Sequence, residues 1–347
     1  MRALAAFGVF CYHQHIGSLL ARYTHFSWIN AIDTFGAVYA LPLFFLISGY
    51  CIHFSCIRSL KNNQPLQHRE YFARRFRRIY PPYLVALIFS ILVNYITGYQ
   101  RLPSMTDITV HLFLLQGFTI SYFNSINVVL WTITVEMAFY ILYPAFYFLR
   151  RRYSLNTALS ITLIVSAISI IFFASGGGQL SSPQQFCVFN IWFAWCCGAF
   201  LADKMAFNPS DLEKPVYKVI YAAVFVLFIV FKIFNSSWMV LPGHQFNILI
   251  WSAPMIWLIR KESWLAARRS LVLKILAALG LSSYSLYLFH DPLIMLKNYL
   301  AHRFLPANIQ PIGVFIGIII IPMITWFCYK FIEKPFMHRK QKMLVNA

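Results

Sequence analysis

Acidic side chains are scarce in this sequence: ten Asp and Glu stand among 347 residues, and all charged residues together make up 11%. An ordinary soluble domain is about a quarter charged, so so little charge excludes one. The seven cysteines (Cys11, Cys51, Cys56, Cys187, Cys196, Cys197 and Cys328) lie mostly inside apolar runs and none forms a CxxC pair. That supports neither a disulfide framework nor a zinc site, and no metal is expected. No small-residue cleavage site follows Met1-Arg2-Ala3-Leu4, so the opening stretch reads as a span rather than a signal peptide. Low-complexity tracts, obvious repeats and domain boundaries are missing too, and residues 1–347 read as a single transmembrane domain.

What is present is apolar length. The chain is 60% hydrophobic, with repeated runs of roughly 20 residues, each able to cross a hydrocarbon core of about 30 Å. These predict an all-α polytopic bundle of about ten spans: 1–22, 35–57, 79–97, 127–149, 155–174, 185–203, 216–234, 244–260, 271–297 and 311–332. Residues 108–120 are apolar but short, and read as a re-entrant or partly inserted helix. The triple glycine at 176–178 and the stretch Asn235–Gly243 read as short external turns.

The net charge of +19 would suggest nucleic acid in a soluble protein. Here no nucleic-acid partner is expected, because cytoplasmic loops of membrane proteins accumulate Lys and Arg. The basic residues fall in blocks at Arg58–Arg78, Arg150–Arg152, Lys204–Lys218, Arg260–Lys274 and Lys330–Lys342. With both termini cytoplasmic, every block lies inside. Outside remain Arg22, Arg101, Lys297 and Arg303, with Lys232 near an outer helix end.

Ionisable residues inside a membrane are costly, which makes each a candidate for function. Arg2 and His13 lie eleven residues apart in the first span, close to three helical turns, on one face and roughly 16 Å apart along the axis. A neutral imidazole can take a proton from a hydroxyl near neutral pH. The competing reading of His13 is a buried histidine bonded to a neighbouring helix. Arg75 and Arg78, at i and i+3, can grip phosphate with planar, bidentate guanidinium groups; ordinary positive-inside flanking is the competing account. Glu136, after Trp131, lies roughly 13 Å below the outer end of its span. There it should face the bundle interior and either pair with a cation or stay protonated. His290 and Asp291 fall near an outer helix end, where a solvated structural role competes. Ser48-Gly49 places small residues mid-helix, as close helix packing requires.

Taken in order, these phrases resemble acyltransferase family 3, membrane proteins that O-acylate bacterial surface and secreted glycans. The matching phrases are Arg2-Ala-Leu-Ala-Ala with His13, Phe44-Phe45 to Ser48-Gly49-Tyr50, Arg75-x-x-Arg78-Ile79 with Pro81, and Trp131 to Glu136 with Phe139-Tyr140 and Pro144. Ser283-Tyr284-Ser285-x-Tyr287-Leu288 with His290, and the terminal Glu333-Lys334-Pro335-Phe336, complete the set. The resemblance implies a membrane O-acyltransferase, most simply an O-acetyltransferase, of the bacterial inner (plasma) membrane. Acetyl-CoA or another acyl-CoA would be the cytosolic donor. The acceptor would be a glycan such as lipopolysaccharide, capsule or exopolysaccharide. Carried over, it makes His13 the general base, with Glu136 in a catalytic place, and gives Arg2, Arg75 and Arg78 the coenzyme. Trp131, Ser48, Tyr284 and His290 would line or support the substrate path. Leu41-Pro42-Leu43 stands where the family often has an acidic residue, which marks a subgroup. The extra domain that some members append outside the membrane is not expected. The alternative function is a transporter or flippase for a lipid-linked or acidic solute, with the same buried residues forming a path; no inverted repeat supports it.

Overall fold

The computed structural model describes residues 1–176, 179–234, 239–261, 264, 270–306 and 309–337, and every regular element among them is helical. The principal helices are α1 (Arg2–His13), α2 (Ile16–Thr24), α3 (Leu41–Phe54), α4 (His68–Thr97), α5 (Met105–Leu112), α6 (Trp131–Arg152) and α7 (Leu155–Ser175). There follow α8 (Val188–Phe207), α9 (Pro215–Ile233), α10 (Val240–Leu249), α11 (Ser252–Arg260), α12 (Leu271–Leu281), α13 (Ser283–Phe304) and α14 (Gln310–Cys328). Among the described residues seven helices are long and apolar enough to cross a bilayer, or eight if α12 and α13, bent by 75°, count as one. Besides that bent pair, which stands where the span 271–297 was expected, two more of the ten expected spans are each built from two short helices. Residues 1–22 break between α1 and α2, where His15 takes a left-handed conformation (φ 54°). Residues 244–260 break between α10 and α11. Pro254, which has no N–H, falls in the first turn of α11, where none is needed. Of the external turns expected, 177–178 and 235–238 lie outside the described residues, while Val240–Gly243 is already helical. The parts of the basic blocks at 262–263, 265–269 and 338–342 also lie outside them.

The described chain forms two compact units. The first contains Leu41–His68 and the described part of Thr132–Arg269. Its centre is the crossing of α3 and α8 through two glycines. A Cβ on Gly49 would collide with the Trp195 carbonyl oxygen, and one on Gly198 with that of Leu46. Small residues let backbones approach this closely, as Ser48-Gly49 suggested. Around the crossing, Phe139 stacks on Trp195 at 5.0 Å between ring centroids. Near the end of α8, Asp203 accepts from Arg150 Nε at 2.7 Å and Nη2 at 3.2 Å, and meets His53 Nε2 at 3.1 Å. Tyr143 Oη lies 3.1 Å from His53 Nδ1. A buried ion pair survives only with such extra hydrogen bonds.

The second unit contains Arg2–Ala40, Arg69–Trp131 and the described part of Ser270–Ala347. In it α1 packs on residues 35–40, where Gly36 sits against the Gly8 carbonyl oxygen so closely that no Cβ fits. The Asp33 carboxylate accepts from Gly17 N and Ser18 N, both at 2.8 Å, and from Ser18 Oγ at 2.6 Å. An anion at a helix start satisfies free N–H groups and the helix dipole, so Asp33 fixes where α2 begins. Segment 108–120 yields only the end of α5 and tight 3-10 turns. Away from water its backbone polar groups need partners, and side chains supply them. Tyr80 and Tyr83 donate to the Leu112 and His111 carbonyls, both at 2.9 Å, and Gln116 Nε2 donates to the Leu130 carbonyl at 2.9 Å. Beyond the segment, buried Asn127 donates to Ser90 Oγ of α4 and the Leu288 carbonyl of α13.

Candidate active site

Helix α1 carries candidate residues at both ends, within the second unit. At its start lies Arg2. Opposite stands Glu333, placed by a π-helical turn at Tyr329–Glu333 and 1% exposed. Ser285 Oγ donates to Glu333 Oε2 at 2.7 Å, and the charges of Arg78 and Arg2 act on the same carboxylate. The buried carboxyl group therefore lies in the field of two arginines, and the cluster is net positive. Arg75, one turn earlier on α4 and also buried, lays its guanidinium 4.7 Å from the centre of the Tyr71 ring. Tyr284 Oη donates to the Ile79 carbonyl at 2.9 Å and pins α13 to α4 just past these arginines.

At the other end of α1, the His13 ring faces that of His290 at 5.1 Å, inclined by 63°. Sequence position suggested a solvated place for His290 and Asp291; both are in fact buried, at 1% and 9% exposure. His290 Nδ1 lies 3.0 Å from the Leu286 carbonyl oxygen and 2.8 Å from that of Tyr287. Carbonyls only accept, so Nδ1 carries the proton, and in the neutral ring Nε2 is an acceptor. That Nε2 is buried and has no protein partner among the described residues. The structure thus holds an unused acceptor beside His13.

His13 opens onto a cleft of about 370 Å³. Gln14, His15, Ser18, Arg22 and Lys297 line it with His13, together with apolar Leu19, Ile294 and Val314. Lys297 Nζ donates to Gln14 Oε1 at 2.6 Å. Among the described residues no group of three His, Cys, Asp or Glu could hold a metal ion.

The remaining candidates lie elsewhere. Glu136 and Ser48 belong to the first unit. There the Glu136 carboxylate accepts from Ser48 Oγ at 3.4 Å and from Tyr140 Oη. It is satisfied by hydroxyls, and no basic side chain pairs with it among the described residues. Trp131, at the start of α6, is buried and stacks on Phe123 at 4.5 Å. Sequence reasoning gave no role to Glu333, although its closing phrase was noted, nor to Lys297. It overlooked the His53–Asp203–Arg150 group altogether. An aspartate within an expected span is itself the signal for such a group.

A sequence model described as an acyltransferase domain matches residues 1–329, and the chain belongs to that family. It is similar to the O-acetyltransferase OatA of Staphylococcus aureus, 24% identical over 96% of this chain and 56% of the relative. It is also similar to the peptidoglycan O-acetyltransferase OatA of Listeria monocytogenes and the putative peptidoglycan O-acetyltransferase YrhL of Bacillus subtilis. Each is 25% identical over 96% of this chain and 54% of the relative. The chain thus spans about half the length of the curated relatives it matches. No solved structure matches it.

Proposed function

We propose that the protein is a membrane O-acyltransferase, most simply an O-acetyltransferase, that moves an acyl group from cytosolic acyl-CoA to a hydroxyl of a cell-surface or secreted glycan. The observation that carries this reading is α1, with an arginine cluster at one end and a histidine open to a cleft at the other. Phosphate groups of the donor suit Arg2, Arg75 and Arg78, whose guanidinium forks bind such oxygens bidentately. The two ends are roughly 16 Å apart, a separation that suits a donor whose phosphates are remote from its thioester.

In the proposed step His13 removes the acceptor hydroxyl proton while that oxygen attacks the thioester carbonyl. A C–O bond forms, the C–S bond breaks, and the departing thiolate takes the proton from His13. The products are an ester and a free thiol. Glu136 is assigned no proton transfer, because hydroxyls already hold its carboxylate. Family membership and the names of the relatives support acyl transfer over transport. The same reading puts residues 1–347 in the inner membrane as a single functional domain with both termini cytoplasmic.

The test is mass spectrometry of surface and secreted glycans from cells with and without the gene, including a His13→Ala complement. Loss of an acyl-sized mass, restored by wild type and not by His13→Ala at equal protein level, is the expected result. Unchanged acylation with altered glycan export would replace this reading with transport.

A further inference from the structure

The cleft at His13 has a chemical bias. Among the described residues no acidic side chain lines it, and neither does any Trp, Tyr or Phe, the residues that grip neutral sugar rings by stacking. Two cations do. Lys297 is half-buried, and among the described residues its one hydrogen bond goes to the neutral Gln14 Oε1, leaving two ammonium protons to offer. Arg22 is exposed at the rim. Among the described residues neither meets a carboxylate within ion-pair distance. The nearby Asp33 carboxylate is committed to Gly17 N, Ser18 N and Ser18 Oγ.

A half-buried ammonium without a counter-charge is costly and implies a ligand that supplies one. Topology alone does not account for the pair. The charge distribution puts Arg22, Arg101, Lys297 and Arg303 on the outer side, and two of these share this one cleft. Its volume of about 370 Å³ falls in the range of small-molecule sites.

We propose that the cleft recognises an acceptor sugar bearing a negatively charged substituent, carboxylate or phosphate, held by Lys297 and Arg22 while His13 takes the proton of a neighbouring hydroxyl. This rests on the acyl-transfer reading and names its acceptor class. The charged group is bound and unchanged; the balance of the step is that given above.

The test uses cells lacking the gene, complemented with wild type, Lys297→Arg, or Lys297→Gln combined with Arg22→Gln. Ester-linked acyl groups are located by mass spectrometry of each glycan, and protein level is checked in the membrane fraction. The expected gene-dependent ester lies on an acidic glycan, and sugar analysis shows whether carboxylate or phosphate supplies the charge. The double variant lowers that ester at least about tenfold, equivalent to about 1.4 kcal/mol, and Lys297→Arg keeps most of it. A gene-dependent ester on an uncharged glycan, or undiminished acylation by the double variant, overturns the inference while acyl transfer stands. Should the double variant fail to accumulate, the charge of the acylated glycan decides alone. If wild type restores no ester on any glycan, acyl transfer itself fails and the inference falls with it.

Discussion

Replacing Asp203 with alanine removes in one step the carboxylate partner of the half-buried Arg150 guanidinium and the buried His53 ring. Arg150 Nε and Nη2 lose contacts of 2.7 and 3.2 Å, and His53 Nε2 loses one of 3.1 Å. His53 is fully buried and cannot turn to water, whereas the Arg150 side chain, 23% exposed, recovers part of its solvation. Removing one partner of a buried pair costs about 3–5 kcal/mol, and the partial exposure of Arg150 puts Asp203→Ala at the lower end, about 3 kcal/mol. Asp203→Ala combined with Arg150→Met removes the stranded charge and should recover about 1–2 kcal/mol of coupling. The assay is thermal unfolding in detergent, read by a thiol-reactive dye on the buried free cysteines Cys56 and Cys196. A midpoint for Asp203→Ala within a degree of wild type, or a double variant less stable than the single one, would refute the account of this network as a mutually dependent pair.

Two predictions concern the second unit, both read in purified protein with acetyl-CoA and the acceptor found in cells. Glu333→Gln keeps the Ser285 hydrogen bond but removes the carboxyl group on which the charges of Arg2 and Arg78 act. It should raise the donor KM about tenfold, the effect of one charge-assisted contact of about 1.4 kcal/mol, and leave kcat within about twofold. An unchanged donor KM would show that the arginines do not serve the donor. His290→Phe fills the same buried space without the Nε2 acceptor. It should lower kcat by about 10² with little change in either KM, and a wild-type kcat would make His290 a packing residue.

Much of the bundle was readable because lipid imposes a length on apolar runs. The boundaries of α6, α7 and α9 follow their hydrophobic stretches within a few residues. At the first span the reading went astray because a side chain further along the chain had intervened. Residues 1–22 look continuous in hydropathy, yet Asp33 captures the N–H groups of Gly17 and Ser18 and starts a new helix there. Such a contact leaves no trace in periodicity. The same holds at the site. His13 and the arginines stood out as ionisable residues in apolar surroundings, and helix geometry alone set Arg2 and His13 at opposite ends of one helix. Glu333 could be paired with Arg2 and Arg78 only once the chain had folded, because 331 positions separate it from Arg2. The burial of His290 depends on Phe10 against its ring, which no helical wheel of α13 could reveal.

The left-handed residue at His15 does more than divide two helices. It ends α1 at His13, so the aligned peptide dipoles of that helix terminate at the imidazole. The C-terminal end of a helix carries roughly half a negative charge, and a nearby cation gains about 0.3–1 kcal/mol, up to about 2 kcal/mol when partly buried. In the proposed reaction His13 is neutral before transfer and an imidazolium while the ester forms. The end of α1 would then lower the energy of the charged intermediate without tightening its grip on the resting state. A continuous helix through residue 22 would place the same histidine mid-rod, where that field is absent.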